Sequence, residues 1–293
     1  MNEKTMGVAV ITGASSGIGA VYADRLARRG YDLILVARNR ERLERLQSEI
    51  RRDTGRKVEI VAADLTDPRD LAEVERLLRT DPDVTMVVNN AGVGGMAPLL
   101  NSDVDTMSRM IALNVEALMR LTYAAVPGFV SHGSGTIINI SSIVAVAPEQ
   151  LNGVYGATKA FVLALSQSLR HELTDKGIRV QVVLPGVTAT DFWDAAGVSM
   201  EHLPPEMVMQ VGDMVDAALA GLDQGEFATV PSLPNAADWL AYEGARHALR
   251  PNLSRATPAQ RYQVSEHASG ADLRSSYKTP IFTQKGSPRT PHR

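Results

Sequence analysis

The chain has 293 residues, 44% of them apolar and 22% charged, which is the balance of an ordinary globular protein and not of a disordered one. A net charge of −3 offers no basic surface for nucleic acid or an anionic membrane, so neither partner is expected. The sequence has no cysteine for disulfides, no secretory signal and no membrane-spanning stretch, and we therefore expect a cytoplasmic protein.

Short β-branched runs alternate with helix-period segments as far as about residue 230, a pattern typical of βαβ units around a parallel sheet. The sequence predicts seven strands, at 8–12, 33–37, 58–62, 86–89, 136–141, 179–184 and 228–230. It predicts helices at 18–29, 40–53, 68–79, 103–130, 154–176 and 206–222. Because the strands are nearly continuous apolar runs, helices should cover both faces of the sheet. The predicted fold is a doubly wound α/β sheet, which binds ligands at the carboxyl ends of its strands.

Two segments depart from this alternation. Residues 190–205 contain Phe192, Trp193, Met200 and two adjacent prolines, and they predict a loop or a broken helix. Beyond Arg250 the composition shifts toward Pro, Ser, Thr and Arg, which indicates a flexible extension. We therefore predict one domain over residues 1–250 and a C-terminal extension over 251–293.

A glycine-rich turn joins the first strand to the first helix. It consists of Thr12, Gly13, Ala14, Ser15, Ser16, Gly17, Ile18 and Gly19. Glycines let the backbone approach a pyrophosphate closely, and the helix N-terminus presents free amides and a partial positive charge. The position between strand and helix favours a dinucleotide phosphate site over the alternative, a tight turn without a ligand.

The end of the second strand indicates which dinucleotide binds. An acidic residue there would hold a ribose 2′-hydroxyl, whereas an arginine would accept a 2′-phosphate. Arg38 follows the strand, while Asp32 lies at its other end. We expect Arg38, with help from Ser15 and Arg40, to select NADP(H) over NAD(H). The alternative is that both arginines only solvate a helix start, where positive charge is the less favourable sign.

Tyr155 and Lys159 are four residues apart and lie on one face of a predicted helix. A cation beside a phenol favours the phenolate and lowers the pKa of the phenol, which brings a proton donor and acceptor closer to working pH. Such pairs are also common on solvated helices, so this pair carries weight only together with the other motifs.

Five motifs, in this order, make the sequence resemble the single-domain short-chain dehydrogenase/reductase family over roughly residues 6–250. They are the turn from Thr12 to Gly19, Asp64-Leu65, Asn89-Asn90-Ala91-Gly92, Ser142 ahead of Tyr155 and Lys159, and Pro185-Gly186 followed by Thr188 and Thr190. The resemblance implies a seven-stranded Rossmann-type sheet with a mobile lid at about 190–210. It also implies a homodimer or homotetramer, associated through the helices at 103–130 and 154–176.

The same resemblance implies four catalytic residues. Tyr155 would be the general acid in reduction and the base in oxidation, and Lys159 would bind the nicotinamide ribose and lower the pKa of Tyr155. Ser142, thirteen residues before Tyr155, would polarise the substrate carbonyl, with Ser141 packing or pairing locally. Asn114 would hold a water that links Lys159 to solvent.

Further cofactor contacts follow from the resemblance. The residues implied are Asp64 and Leu65 at the adenine ring, Asn90, Ala91 and Gly92 at the adenosine ribose, and Pro185, Gly186, Thr188 and Thr190 at the nicotinamide carboxamide. The alternatives are that Asp64 caps a turn and that Asn89 and Asn90 tie neighbouring strands together.

We therefore predict an oxidoreductase that transfers hydride between NADP(H) and a small-molecule carbonyl or alcohol, with no metal. We expect an apolar ketone or aldehyde as substrate, because the residues expected to line the pocket are apolar: Val93, Val144, Val146, Phe192, Trp193, Met200, Met207 and Met209. The alternative is that several of them are ordinary core residues. One alternative is a 3-oxoacyl-thioester reductase, which would need a basic patch near the lid that the sequence does not show. Another is a non-catalytic NADP(H)-binding sensor or scaffold. The complete catalytic set disfavours that alternative, and it also disfavours a Rossmann-like methyltransferase.

Overall fold

Seven parallel strands form the central sheet of the computed structural model, which describes residues 5–95, 97–150, 153–192 and 204–262. The strands in chain order are β1 Val8–Thr12, β2 Asp32–Ala37, β3 Val58–Ala62, β4 Val84–Asn89, β5 Gly135–Ile140, β6 Ile178–Val183, β7 Thr188–Ala189, β8 Met209–Gln210 and β9 Ala228–Thr229. The sheet has the order β3-β2-β1-β4-β5-β6-β9, and all its pairs are parallel. The predicted α/β fold is confirmed.

Helices cover the sheet in two layers. They are α1 Gly17–Arg28, α2 Arg40–Thr54, α3 Pro68–Thr80, α4 Val104–Ile111, α5 Leu118–His132, α6 Gly153–Leu173 and α7 Val211–Asp223. In one layer α1 packs against α2 and α7, and in the other α3 packs against α5. Local sequence fixes several ends: Asp67 accepts hydrogen bonds from two amides of α3, and Gly55 ends α2 with a φ of 67°.

Two helices differ from their predictions. The helix predicted over 103–130 is interrupted by a π-helical segment at Ala112–Ala117, which rotates the residues on either side relative to each other. The helix predicted over 206–222 begins only at Val211, because Met209 pairs with Thr188 in the small sheet of β7 and β8. Both differences depend on partners distant in the sequence.

A second compact unit begins at Asn235, after the first unit, Met1–Pro234. Its described part contains α8, Ala236–Ala248, which begins where the Asn235 side chain accepts a hydrogen bond from the amide of Ala237. Most of the predicted extension, residues 263–293, lies outside the described residues. Within the described part of the chain, no helix is both long and apolar enough to cross a membrane.

The sheet reverses its winding direction between β1 and β4. Connections on the two sides of such a point run away from each other, so a crevice opens beyond the carboxyl ends of the two strands. The glycine-rich turn follows β1 and Asn90 follows β4, which places both predicted motifs at this crevice.

Candidate active site

A cleft of about 630 Å³ lies at the carboxyl ends of the strands. All the predicted cofactor residues except Gly19 line it: Gly13, Ser15, Ser16, Gly17, Ile18, Arg38, Asp64, Leu65, Asn90, Ala91, Gly92, Tyr155, Lys159, Pro185, Gly186, Thr188 and Thr190. Ser142 also lines the cleft, whereas Asn114 lies behind its wall. Motifs separated by more than 170 residues therefore meet in one cavity.

The glycine-rich turn is shaped for a close approach of the backbone. Gly13 has a φ of +65°, and a Cβ there would lie 2.8 Å from Asn90 Nδ2. A Cβ on Gly19 would collide with the carbonyl oxygen of Gly13. Asn90 Nδ2 holds the turn by donating to the carbonyl oxygens of Thr12 (2.9 Å) and Gly13 (3.2 Å).

The N-terminus of α1 faces the cleft beside this turn. Its N-cap, Ser16, makes no side-chain hydrogen bond to the helix amides. Those amides and the helix dipole together suit an anion. The turn and the helix end therefore fit a dinucleotide pyrophosphate.

Two arginines that line the cleft, Arg42 and Arg38, differ in whether they form an ion pair. Arg42 of α2 forms an ion pair with Asp191, at 3.2 Å between Nη1 and Oδ2. Arg38 forms no ion pair with any described residue. The pKa of Asp64 is lowered mainly by the hydrogen bond from the Thr66 hydroxyl and to a smaller extent by the charge of Arg38. A guanidinium without an ion pair, beside the N-terminus of α2, is available to an anionic ligand. Arg40 points elsewhere, with Nη1 3.9 Å from Glu44 Oε1, and does not line the cleft.

Ser142, Tyr155 and Lys159 meet at the inner end of the cleft. Ser142 hydrogen-bonds to the Tyr155 hydroxyl, and its Oγ also lies 3.4 Å from the carbonyl oxygen of Pro185. Lys159 Nζ donates to the carbonyl oxygen of Ile140 (3.0 Å) and lies 5.8 Å from the centre of the Tyr155 ring. The arrangement places a phenol, a hydroxyl and an amine around one point.

Burial is the largest cause of the pKa shifts of Tyr155 and Lys159. Burial raises the pKa of the Tyr155 phenol to about 12, and the Ser142 hydrogen bond offsets this only in part. Burial also lowers the pKa of Lys159 to about 8. The predicted lowering of the Tyr155 pKa by Lys159 is therefore wrong for this conformation. A phenol with a raised pKa is protonated at neutral pH, which is the form that can donate a proton.

Lys159→Met is expected to show the cost of burying the ammonium. The folded-state pKa of about 8 lies below the reference value of 10.5, so between these pH values the folded state binds fewer protons than the unfolded state. The stability of the wild type should therefore rise relative to Lys159→Met from pH 8 to pH 10.5, by about 3 kcal/mol in the free energy of unfolding. Urea denaturation at several pH values measures this.

Lys176→Met removes an exposed lysine from the 3-10 turn that follows α6, the helix of Lys159, and is the control for that experiment. A stability difference between Lys159→Met and wild type that stays constant from pH 8 to pH 10.5 would contradict the lowered pKa of Lys159.

Asn114 supports the site from behind, and Ser141 lies next to Ser142 in the lining of the cleft. The side chain of Asn114, in the π-helical segment, accepts from the amide of Val93 (2.9 Å) and donates to its carbonyl oxygen (2.9 Å). The Ser141 hydroxyl donates to the backbone carbonyl oxygen of Lys159 (2.8 Å). Asn89 faces the core, where its Nδ2 donates to Asn139 Oδ1 (2.9 Å) and so ties β4 to β5.

An apolar cluster surrounds Tyr155. Met110 and Val144 are buried against it, with Met107, Ile143, Val154 and Phe192 packed around them. The Phe192 ring lies 5.9 Å from the Tyr155 ring and occupies the space that a Cβ on Gly94 would need. Substrate that reaches Tyr155 therefore meets mainly hydrocarbon.

The residues predicted for this pocket divide into three groups. Val93, Val144 and Phe192 line the cleft. Val146 and Met207 are exposed and Met209 packs on the main core, so none of these three lines it. Trp193 and Met200 lie outside the described residues.

Several cleft residues were not predicted from the sequence. They include Arg42, Gly94, Leu113, Val187 and Asp191 in the cleft lining, and Met107 and Met110 behind Tyr155. Met107 and Met110 have the spacing of a core-facing helix, so the sequence alone cannot distinguish a pocket wall from a core.

Comparisons with known proteins agree with this fold. A family model described as short chain dehydrogenase matches residues 7–199. The structure of the short-chain dehydrogenase from Sphingobium yanoikuyae, in complex with NADPH, is 48% identical with a TM-score of 0.86, covering 88% of this chain and all of that one. The bulky-bulky ketone specific alcohol dehydrogenase from Comamonas testosteroni is 43% identical with a TM-score of 0.81, covering 88% of this chain and 99% of its own.

A curated relative is similar over a shorter span. The very-long-chain 3-oxoacyl-CoA reductase of Anas platyrhynchos is 34% identical over 202 residues, which cover 68% of this chain and 65% of that protein. The chain thus spans just under two thirds of the length of this relative.

Proposed function

The chain belongs to the short-chain dehydrogenase family, and on this basis we propose that it is an NADPH-dependent reductase of bulky, apolar ketones. One observation carries the proposal: Ser142 and the protonated Tyr155 are hydrogen-bonded to each other beside Lys159, inside an apolar cluster at the end of a dinucleotide-sized cleft. A carbonyl oxygen placed between the two hydroxyls would receive two hydrogen bonds.

The residues of the chain have separate tasks in this reaction. NADPH, held by the glycine-rich turn, the N-terminus of α1 and Lys159, would supply the hydride for the carbonyl carbon. Ser142 donates a hydrogen bond to the carbonyl oxygen, where negative charge develops. Tyr155 transfers its proton to that oxygen. Alcohol oxidation needs the phenolate of Tyr155, whereas the raised pKa keeps Tyr155 at neutral pH in the protonated form that reduction requires.

The preference for NADPH over NADH is assigned to Arg38. Arg38→Ala is expected to lower kcat/KM with NADPH about tenfold or more, the usual effect of losing a hydrogen bond to a charged group, while kcat/KM with NADH changes little. The measurement is steady-state kinetics with both cofactors. Arg40→Ala is the matched control, because Arg40 lies two residues away but outside the cleft. An unchanged NADPH-to-NADH ratio in Arg38→Ala would remove the assignment.

Bulky apolar ketones are proposed as substrates because the wall around Tyr155 is apolar. Val93, Val144 and Phe192 line the cleft there, and Met107 and Met110 pack behind. The similar Comamonas testosteroni enzyme is described as specific for bulky-bulky ketones. Loss of NADPH absorbance with aryl ketones, aliphatic ketones, aldehydes and sugars tests the proposal. A preference for sugars would reject it.

Two alternatives are tested by the same panel. A 3-oxoacyl thioester belongs in it, because a curated relative bears the name of a 3-oxoacyl-CoA reductase. Faster turnover of the thioester than of any simple ketone would favour that alternative. NADPH binding with no turnover of any carbonyl would favour a non-catalytic sensor or scaffold.

Association and location stay predictions. The exposed apolar side chains of Val104 and Ile111 on α4, and of Tyr123 and Val130 on α5, are compatible with association through these helices.

A further inference from the structure

Thr158 lies on α6 between the two motif residues, Tyr155 and Lys159, and does not line the cleft. Its side chain is 2% exposed. The Thr158 hydroxyl donates to the backbone carbonyl oxygen of Tyr155 (2.8 Å) and accepts from Asn114 Nδ2 (3.2 Å). It therefore connects the π-helical segment with the first turns of α6.

With the hydrogen bond to Thr158, both hydrogens and the oxygen of the Asn114 side-chain amide have partners. An amide nitrogen carries two hydrogens, and those of Asn114 go to the carbonyl oxygen of Val93 and to Thr158. Asn114 Oδ1 accepts from the amide of Val93. The amide plane of Asn114 is thus fixed by Val93 on one side and by Thr158 on the other.

This network borders the amine of the site. A Cβ on Gly92 would lie 3.1 Å from Asn114 Oδ1 and 3.6 Å from Lys159 Nζ, so the loop after β4 is closely surrounded by both groups. A displaced Asn114 would move the Gly92–Val93 backbone, which lines the cleft beside Lys159.

We propose that Thr158 is a positioning residue, which acts through Asn114 to hold the Gly92–Val93 loop against the turn of α6 that carries Tyr155 and Lys159. The proposal rests on the proposed function, because it assigns Thr158 a part in the same reaction. Small displacements matter in such sites: a shift of about 1 Å can reduce turnover about a hundredfold.

Ser166 provides a control for a merely structural role. Its hydroxyl, on the same helix, donates to the carbonyl oxygen of Val162 (2.7 Å) and accepts from Asn139 Nδ2 (3.0 Å), and the side chain is fully buried. The bonding pattern closely resembles that of Thr158. Asn139, however, lies within β5 and does not line the cleft.

The experiment compares Thr158→Val, Thr158→Ser and Ser166→Ala in three measurements: kinetics of ketone reduction, NADPH affinity by fluorescence, and hydrogen exchange at the Val93 amide. Thr158→Val is expected to lower kcat about tenfold through misplacement of the site, while the Kd for NADPH stays within about twofold. Exchange at Val93 should accelerate about fivefold, as expected for a weakened hydrogen-bond network. Thr158→Ser and Ser166→Ala should both behave as wild type in all three measurements.

Three results would overturn the proposal: an unchanged kcat and Val93 exchange rate in Thr158→Val, an equal loss of kcat in Ser166→Ala, or no rescue by Thr158→Ser. A wild-type protein that reduces no ketone would instead defeat the proposed function. Exchange at Val93 needs no turnover, so it still decides whether Thr158 holds Asn114 and the loop.

Discussion

Tyr155→Phe is expected to lower kcat for ketone reduction about a hundredfold or more, the usual contribution of a positioned proton donor. The phenylalanine ring keeps the packing against Met110, Val144 and Phe192, so the shape of the pocket should be retained. The substitution removes the proton donor and its hydrogen bond with Ser142. Single-turnover kinetics with NADPH and a bulky ketone measure the chemical step directly.

Tyr22→Phe is the matched control for that variant. Tyr22 is also fully buried, and burial raises its pKa, but it packs in the main core on α1. Its hydroxyl has no hydrogen-bond partner within the described part of the chain, so its removal should leave kcat and stability close to wild type. If Tyr155→Phe kept more than about a tenth of the wild-type kcat, another group would have to be the proton donor.

The sheet could be predicted because its determinants are local. The strands are short apolar runs bounded by turns, and Asp67 with Pro68 marks the start of α3. The glycine-rich turn was recognisable for the same reason, since its glycines form a local pattern directly between β1 and α1. Patterns of this kind place the cleft before any tertiary contact is known.

The surroundings of the cleft could not be predicted because they depend on tertiary contacts. Asn114 reaches Val93 and Thr158 from a π-helical segment that has no sequence signal. The ion pair of Arg42 with Asp191 joins residues 149 positions apart. Single-sequence patterns carry no information about such pairs.

The pKa of Tyr155 shows the same limit. The i, i+4 spacing correctly places the ammonium near the ring, at 5.8 Å between Lys159 Nζ and the ring centre. The spacing does not reveal that both groups are buried, and burial outweighs their proximity. The direction of a pKa shift therefore needs the depth of the group as well as its neighbours.

Ser142→Ala is expected to lower kcat about a hundredfold to a thousandfold, the range found when one donor to a developing oxyanion is removed. The Ser142 hydrogen bond also lowers the pKa of Tyr155 against the effect of burial. Its loss should raise that pKa further, because the phenolate then loses a donor. Alcohol oxidation, which needs the phenolate, should therefore require a higher pH in Ser142→Ala than in wild type. A pH profile of kcat in the oxidative direction measures this shift.

Ser141→Ala separates the two adjacent serines. Ser141 is buried like Ser142 and also lines the cleft, but its hydroxyl donates its proton to the backbone carbonyl oxygen of Lys159 and is therefore not available to a substrate oxygen. Its removal should cost about 1 kcal/mol of stability and leave the oxidative pH profile unchanged. If Ser141→Ala instead lost as much activity as Ser142→Ala and shifted the profile equally, the carbonyl donor would be misassigned. A mild effect of Ser142→Ala would lead to the same conclusion.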